Sequence, residues 1–369
     1  MPSRFASLTS LFYFFYFWAT GVFIIFVPKT LANIGYTPAQ IGLLLSIMPL
    51  IRFITPFLFS LGLRFTKKTF LYSLALSTLC FTTFAFTYHA FWLILVNTVL
   101  YGIFISVTLP YIDTAALSVI PKERYGLVRL FGSIGFMIAG LILGEAALSN
   151  SLVFWHYLVS VALMSACGAL LVFDKAHKDE QESSETRPNE LKIYLSDIPF
   201  WLAMILVQLS FGAFYGFFTM FENEHGMSMQ NITYLWSVGV LAEIAMFAFQ
   251  GRLLKRIKPL FIIKLSIVTL IARWLLLHFF AGNFVAAFIA QITHAISFAL
   301  FTTAAFLFIY SRYENKKQAQ MYFYGFAYGL GGFFGGIISG ALYGANIFLY
   351  SAFFAAAALV SLSFFKRAI

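Results

Sequence analysis

The sequence predicts an all-α membrane protein with twelve transmembrane helices, arranged as two pseudo-symmetric six-helix bundles with both termini in the cytoplasm. Three observations predict this fold: the length of the apolar segments, the loops that carry positive charge, and one long polar stretch near the middle of the chain. Of the 369 residues, 61% are hydrophobic and 10% are charged. That composition excludes a soluble globular domain.

The apolar segments have the length of membrane spans. A hydrocarbon core about 30 Å thick needs roughly 20 apolar residues per helical span. The first six predicted spans lie near residues 8–27, 41–62, 69–88, 91–112, 130–148 and 152–173. The last six lie near residues 198–221, 232–250, 260–280, 283–309, 321–343 and 347–365.

Positive charge is found in alternate loops. Nearly all of the 24 Lys and Arg lie at the N-terminus, in the even-numbered loops between spans, or at the C-terminus. Because Lys and Arg are retained on the cytoplasmic side of a membrane, these loops and both termini are predicted to be cytoplasmic. The same placement explains the net charge of +10, so no nucleic-acid partner is expected.

The long polar stretch, residues 174–197, reads as a cytoplasmic linker between an N-terminal bundle (1–173) and a C-terminal bundle (198–369). The two bundles contain a short internal repeat, because the segment 35–41 is similar to the segment 226–232. The same offset places Arg52 opposite Glu243. Parallel six-helix repeats of this kind build one large class of transporters, with the substrate site near the bilayer midplane.

Several ionisable residues lie inside predicted spans, where a charge is costly unless it is paired or hydrated. Arg52 lies in the second span, Glu243 in the eighth and Arg273 in the ninth. His294 lies in the tenth span, with Gln291 three residues earlier on the same helix face. A carboxyl in such a place is a candidate for binding and releasing a proton.

Structural explanations stay open for each of these residues. Glu243 is also compatible with a buried structural pair or a permanently protonated carboxyl, and His294 with a core histidine whose hydrogen bonds are satisfied. Arg273 is compatible with a side chain that reaches outward to the membrane surface. Asp113 ends the fourth span and Arg129 begins the fifth, so they form either a salt bridge at the membrane surface or part of a substrate site or gate. Glu222, at the outer end of the seventh span, reads as part of a solvated rim.

The sequence lacks the short motifs of several other functions. It contains no phosphate-binding loop, no His-Glu-x-x-His or Cys-x-x-Cys metal motif, and no nucleophile elbow. We therefore expect no cofactor, no metal and no enzymatic activity. A transporter without an ATP site has to draw its energy from a gradient.

Short motifs in five of the spans form a recognisable set. They are Pro110–Asp113, Tyr125–Phe136, Gly239–Glu243, Ile271–Arg273 and Gln291–His294. The set resembles the major facilitator superfamily, and within it the branch of oligosaccharide:proton symporters and phenylpropionate-type permeases. The resemblance covers essentially the whole chain and implies the major facilitator fold.

The resemblance also implies roles for individual residues. Arg129 would pair with Asp113 and hold substrate, while Arg273 and His294 would act in proton coupling. Sugar transporters of this branch have a carboxylate three residues after the histidine, whereas this chain has Ser297. Glu243 is therefore the expected proton-binding residue.

Taken with the resemblance, the sequence predicts a monomeric secondary transporter in a bacterial inner membrane. It would import a small organic solute, such as an aromatic or other carboxylate or a glycoside, together with a proton. The expected substrate or gate residues are Arg52, Asp113, Arg129 and Gln291. Two alternatives stay open, a proton antiporter that exports amphiphilic compounds and a membrane sensor or scaffold that transports nothing. Sodium in place of protons also stays open.

Overall fold

The computed structural model describes residues 4–60, 66–145, 150–174 and 195–365, and every regular element within these ranges is helical. The first seven helices are α1 (Arg4–Ile25), α2 (Val27–Asn33), α3 (Pro38–Ser60), α4 (Lys67–Thr87), α5 (Phe91–Val119), α6 (Lys122–Glu145) and α7 (Asn150–Val172). A short 3₁₀ turn at Leu195–Asp197 precedes α8 (Ile198–Ser210), α9 (Gly212–Glu224), α10 (Met229–Arg256), α11 (Pro259–Phe279), α12 (Phe284–His294), α13 (Phe301–Arg312), α14 (Lys316–Phe323), α15 (Gly332–Ala341) and α16 (Ile347–Ser363).

Each of the twelve predicted spans overlaps at least one of these helices. Among the described residues, nine helical stretches are long and apolar enough to cross a membrane, and Ile347–Ser363 is a shorter apolar helix. The all-helical multi-pass architecture is thus confirmed, while the number of spans and the side on which each terminus lies stay predictions.

Three of the last six predicted spans are interrupted helices. The seventh is broken at Phe211, between α8 and α9. The tenth consists of α12, a π-helical segment Ala295–Leu300 and α13, and the eleventh has a π-helical segment, Tyr324–Gly331, between α14 and α15. π-Helical turns inside α-helices are frequent at functional sites. Both segments lie in the half of the chain that carries Glu243, Arg273 and His294.

Packing divides the chain into two units. The first is Met1–Thr37 with Ile54–Glu185, and the second is Pro38–Phe53 with Thr186–Ile369. The predicted division into 1–173, 174–197 and 198–369 stays a prediction, and residues 175–194 of the predicted linker lie outside the described residues.

Each unit has its own helix packing. In the first unit, α1 packs against α6 and α7, and α4 packs against α5 and α7. In the second unit, α11 packs against α16, α12 and α13, while α10 packs against α12 and α9 against α15. These contacts bring the middle of α10, the later part of α11 and the end of α12 together, which is where the ionisable residues of this half lie.

Glycine allows a close approach between α3 and α15 in the second unit. A Cβ atom placed on Gly42 would lie 2.5 Å from the backbone oxygen of Gly336 and 2.8 Å from the Cα of Gly340. Gly336 and Gly340 are four residues apart and therefore share one face of the helix. Small residues at this spacing let helix backbones pack in direct contact within a membrane.

Candidate functional site

Three ionisable residues form a continuous hydrogen-bonded chain in the second unit. Arg273 Nη1 lies 2.7 Å from His294 Nδ1, and His294 Nε2 lies 2.6 Å from Glu243 Oε1. Arg273 lies on α11, His294 is the last residue of α12 and Glu243 lies in the middle of α10. The structure thus brings together the three residues that the sequence singled out for proton coupling.

The donor chemistry of arginine fixes the hydrogens along this chain. A guanidinium group only donates hydrogen bonds, so the Nδ1 atom of His294 has to accept the bond from Arg273. In the neutral imidazole the other nitrogen then carries the hydrogen, and His294 Nε2 donates to the carboxylate of Glu243. The neutral imidazole of His294 therefore connects Arg273 to Glu243, with one hydrogen bond on each ring nitrogen.

The hydrogen-bonded series from Arg273 to Glu243 is exposed only at its Glu243 end. The residues Arg273 and His294 are 1% and 4% exposed, whereas the side chain of Glu243 is 23% exposed. Of the three residues, only Glu243 is therefore accessible from outside the cluster, and the other two lie behind it.

Aromatic rings surround the buried guanidinium. The Cζ atom of Arg273 lies 4.2 Å from the ring centre of Phe214 and 4.7 Å from that of Trp274. Cation–π contacts of this kind offset part of the cost of burying a charge. The ring of Phe298, in the π-helical segment, stacks on His294 with the ring centres 5.0 Å apart and the planes 14° apart. The π-helical turn thus turns an aromatic face toward the histidine.

Gln291 completes the buried part of the site. Its Oε1 atom accepts a hydrogen bond of 3.3 Å from Arg273 Nη2, and the residue is 1% exposed. Among the described residues, Arg273 Nε and Gln291 Nε2 have no hydrogen-bond partner. Buried donors are normally paired, so these two are exceptions within the buried part of the site.

The absence of a side chain at Gly239 makes room for the side chain of Gln291. A Cβ atom at Gly239 would lie 2.9 Å from Gln291 Oε1 and 3.9 Å from His294 Cδ2. Gly239 is one turn before Glu243 on α10. The absence of a side chain there lets α10 approach α12 closely enough for the Glu243 to His294 bond.

Two tyrosines that the sequence analysis did not single out belong to the same site. The ring of Tyr215 packs against Phe211, His294 and Phe298. The hydroxyl of Tyr328 is 2.9 Å from Thr302 Oγ1. Both tyrosines interact electrostatically with Glu243. In a chain with 47 Phe and 19 Tyr, no sequence signal distinguishes these two rings from the rest.

Arg52 lies near this group. Its charge acts on the hydroxyls of both Tyr215 and Tyr328. Its side chain is exposed, and no ion pair among the described residues includes it. The guanidinium of Arg52 therefore lies beside the site with its donors accessible.

Asp113 and Arg129 form a separate cluster in the first unit. Arg129 Nε lies 3.8 Å from Asp113 Oδ1, and both side chains are 32% exposed. The same Oδ1 atom accepts a hydrogen bond of 2.6 Å from the hydroxyl of Tyr13. The guanidinium of Arg129 also lies 4.6 Å from the ring centres of Tyr13 and Phe17. The predicted pairing of Asp113 with Arg129 is thus present, in a partly exposed position.

Glu222 differs from its prediction. The sequence places it in a solvated rim, but the residue is 0% exposed. The turn between α11 and α12 covers it, because Gly282 N donates a hydrogen bond of 2.8 Å to Glu222 Oε2. Hydropathy along one helix does not reveal a covering turn from another part of the chain. Within the described residues, no group of three His, Cys, Asp or Glu is placed to hold a metal ion.

Comparison with known proteins identifies relatives along most of the chain. Residues 7–355 match the model of the MFS_1 like family. The chain is 29% identical over 323 residues to a protein of Escherichia coli (strain K12) described as a probable 3-phenylpropionic acid transporter, and the match covers 82% of each chain. It is 26% identical over 274 residues to the maltose permease of Geobacillus stearothermophilus, covering 72% of this chain and 69% of the permease.

Solved structures with the same fold include the nucleoside transporter NupG. It superposes with a TM-score of 0.84 at 16% sequence identity, over 99% of this chain and 100% of the transporter. A bacterial homologue of the iron transporter ferroportin superposes with a TM-score of 0.73 at 14% identity, over 99% and 98% of the two chains. At these identities the likeness concerns the fold alone.

Proposed function

Since the chain belongs to the MFS_1 like family and is a multi-pass membrane transporter rather than an enzyme, we propose that it is a proton-coupled symporter. It imports a small organic solute by alternating access. One observation supports this most strongly: the hydrogen-bonded chain from Arg273 through His294 to Glu243, with only Glu243 partly exposed.

Glu243 carries the proton in this proposal. Both ring nitrogens of His294 are already engaged, one as acceptor from Arg273 and one as donor to Glu243. A proton added to Glu243 Oε2 leaves both bonds intact, because Oε1 still accepts from His294. The proton thus binds without breaking the buried network.

Charge balance connects the proton to the solute. With Glu243 ionised, its charge offsets that of Arg273, and only the nearby Arg52 is left unbalanced. Once Glu243 is protonated, the charges of both arginines are unbalanced. An anionic solute restores the balance, so proton and carboxylate bind together more favourably than either does alone.

The proposed solute is an aromatic carboxylate. The guanidinium of Arg52 has accessible donors, and a guanidinium binds a carboxylate through two parallel hydrogen bonds. Tyr215, Tyr328 and Phe298 supply rings beside it, and aromatic rings pack on one another edge to face. The E. coli relative described as a probable 3-phenylpropionic acid transporter matches more of this chain, at higher identity, than the maltose permease does, and so supports this class over a glycoside.

Asp113 and Arg129 keep their predicted role, as a second polar site or gate in the first unit. Gln291 takes a different role from the predicted one of a substrate or gate residue, because it holds Arg273 from the buried side. The proposal includes twelve spans, cytoplasmic termini, a monomeric state and a bacterial inner membrane.

The test is proton movement on addition of solute. Energy-depleted cells that make the protein receive a panel of aromatic carboxylates and glycosides while the external pH is recorded. We expect one aromatic carboxylate to make the medium alkaline, and Glu243→Gln to abolish the signal. Glu123→Gln, which removes an exposed carboxyl on α6, is the matched control and should keep it. A signal that persists in Glu243→Gln at normal protein levels would refute the proposal.

A further inference from the structure

Glu222 is a fully buried carboxyl in the same unit, and the transport site does not use it. It is 0% exposed, and its Oε2 atom accepts one hydrogen bond, from Gly282 N at 2.8 Å. Its Oε1 atom has no hydrogen-bond partner among the described residues. None of the ion pairs among the described residues includes Glu222.

The turn that covers Glu222 requires glycine. Gly282 has a φ of +77°, and a Cβ atom there would collide with the backbone oxygen of His225. His225 is itself held, because its Nδ1 atom lies 2.7 Å from the backbone oxygen of Phe221. The end of α9 and the turn between α11 and α12 therefore meet in backbone contact, with the carboxyl of Glu222 enclosed between them.

The same turn begins the helix that carries the coupling histidine. Asn283 Oδ1 accepts a hydrogen bond from Ala286 N and so caps the first turn of α12. α12 ends at His294. The bond between Glu222 and Gly282 therefore fixes the start of a helix whose last residue is bonded to Glu243.

Few other ionisable groups lie on the elements packed around Glu222. On α9, Glu224 is exposed and accepts a hydrogen bond from the hydroxyl of Tyr343. No ionisable side chain lies on α15. The other ionisable groups on the elements packed at this end of α9 are His225, Tyr234 on α10, His278 at the end of α11, and Tyr350 on α16. None of these is a lysine or arginine.

An ionised carboxylate is unfavourable in this position. A buried charge is stable only when it is paired and its oxygens accept several hydrogen bonds, whereas Glu222 has one neutral donor and no cation. A protonated carboxyl keeps the bond from Gly282 and carries no charge. If the proton leaves, the turn has to open so that water reaches the carboxylate.

We propose that Glu222 is a second proton-binding carboxyl, separate from Glu243, whose protonated form holds the turn before α12 closed on the end of α9. Seven residues, or about 10 Å of helix, separate Glu222 from Tyr215 in the transport site. On the predicted topology this end of α9 faces outside. The role of this proton in transport rests on the proposed function, whereas the binding of the proton itself does not.

Infrared difference spectroscopy tests the proton directly. The full chain in lipid vesicles is compared between acidic and alkaline buffer, and the band of protonated carboxyl groups is recorded. We expect Glu222→Gln to lose one component of that band, because glutamine keeps an oxygen for Gly282 N but does not titrate. The acidic buffer is kept at about pH 6, above the range in which solvent-exposed carboxyl groups protonate. Under that condition Glu224→Gln, the exposed neighbour, is the matched control and should keep the full band. A spectrum of Glu222→Gln identical to wild type would overturn the proposal.

A second measurement needs only the wild-type chain, in case Glu222→Gln does not fold. Amide hydrogen exchange of residues 280–283 is measured by mass spectrometry across the same buffers and corrected for the chemical exchange rate. The proposal expects protection in acid that is lost by at least tenfold in alkali. Protection that does not change with pH would overturn it.

Transport assays test the role of Glu222 separately from the proton-coupling role of Glu243. Solute exchange needs no net proton movement, and in the Glu243→Gln background the carboxyl of Glu243 no longer titrates, so exchange by that variant reports the turn before α12. We expect exchange by Glu243→Gln to fall in alkali and exchange by the double variant with Glu222→Gln to stay constant; exchange that falls equally in both refutes the role of Glu222. Loss of proton-driven accumulation in Glu243→Gln is expected whichever result Glu222 gives.

Discussion

At the scale of single residues, the side chain of Arg273 has three tasks that only a guanidinium performs together. It donates to His294 through Nη1 and to Gln291 through Nη2, and it lies over the ring of Phe214. A lysine ammonium is a single point of charge and is more strongly hydrated. Arginine and lysine carry the same charge but are therefore not interchangeable at position 273.

Replacing Arg273 with lysine should inactivate transport. The change loses at least one charge-assisted hydrogen bond, each contributing about 1.5–3 kcal/mol, and it removes the planar contact with Phe214. We expect a fall of tenfold or more in solute exchange and a lower melting temperature in detergent. Lys264→Arg, on the same helix but outside the site, should change neither. Wild-type exchange by Arg273→Lys would show that the network does not depend on the guanidinium.

Gly239 offers a sharper residue-scale test, because the same substitution should have opposite effects at two glycines of α10. Alanine at Gly239 would place a Cβ 2.9 Å from Gln291 Oε1, whereas no atom lies within 4 Å of a Cβ at Gly251. Alanine stabilises a helix by about 1 kcal/mol relative to glycine. We expect Gly251→Ala to raise the melting temperature slightly, and Gly239→Ala to lower both the melting temperature and the solute affinity. Equal effects at the two positions would contradict the packing described for Gln291.

Part of the site could be predicted from residues alone. Charge inside apolar spans identified Glu243, Arg273 and His294, because the cost of such residues does not depend on the details of the fold. Their order in the chain of hydrogen bonds could not be predicted, since it depends on how α10, α11 and α12 pack. Tyr215 and Tyr328 gave no signal, and Glu222 was placed in the wrong environment because a distant turn buries it.

At the scale of elements, apolar length predicted where helices lie but not where they break. The interruption at Phe211 and the two π-helical segments occur inside continuous apolar stretches, and the number of apolar residues is unchanged by them. The segment after His294 turns Phe298 onto the imidazole. Such breaks depend on packing between helices, and this packing cannot be inferred from the hydrophobic periodicity of the sequence.

The close packing of α3 on α15 gives a prediction at this scale. Alanine at Gly42 would bring a Cβ to 2.5 Å from Gly336 O, whereas Gly126 has nothing within 4 Å. Overpacking costs typically about 1–3 kcal/mol, so Gly42→Ala should separate the two helices. We expect solute exchange by Gly42→Ala to fall about tenfold and exchange by Gly126→Ala to match wild type. Normal exchange by Gly42→Ala would mean that the helices tolerate a wider spacing.

At the scale of the whole molecule, the family and the all-helical fold agree with a multi-pass membrane transporter. The number of spans still rests on the apolar segments of the sequence, and the direction of the chain in the membrane on the positive loops. Cys80 and Cys167 are the two cysteines of the chain and both are buried. A cysteine introduced on the surface therefore has little background in a labelling experiment.

Labelling with a membrane-impermeant maleimide tests that direction. Gln230 and Lys316 are both exposed, and the positive-inside pattern places the first outside and the second in the cytoplasm. We expect Gln230→Cys to react in intact cells and Lys316→Cys to react only after the cells are permeabilised. The reverse labelling pattern would show that the chain crosses the membrane in the direction opposite to the predicted one.

The most direct test of the central claim, that Glu243 couples a proton to the solute, uses the purified protein in sealed vesicles. Accumulation of the aromatic carboxylate under an imposed pH gradient is compared with its counterflow in the absence of a gradient. We predict that Glu243→Gln retains counterflow and loses gradient-driven accumulation. Accumulation at the wild-type level in Glu243→Gln would contradict the account.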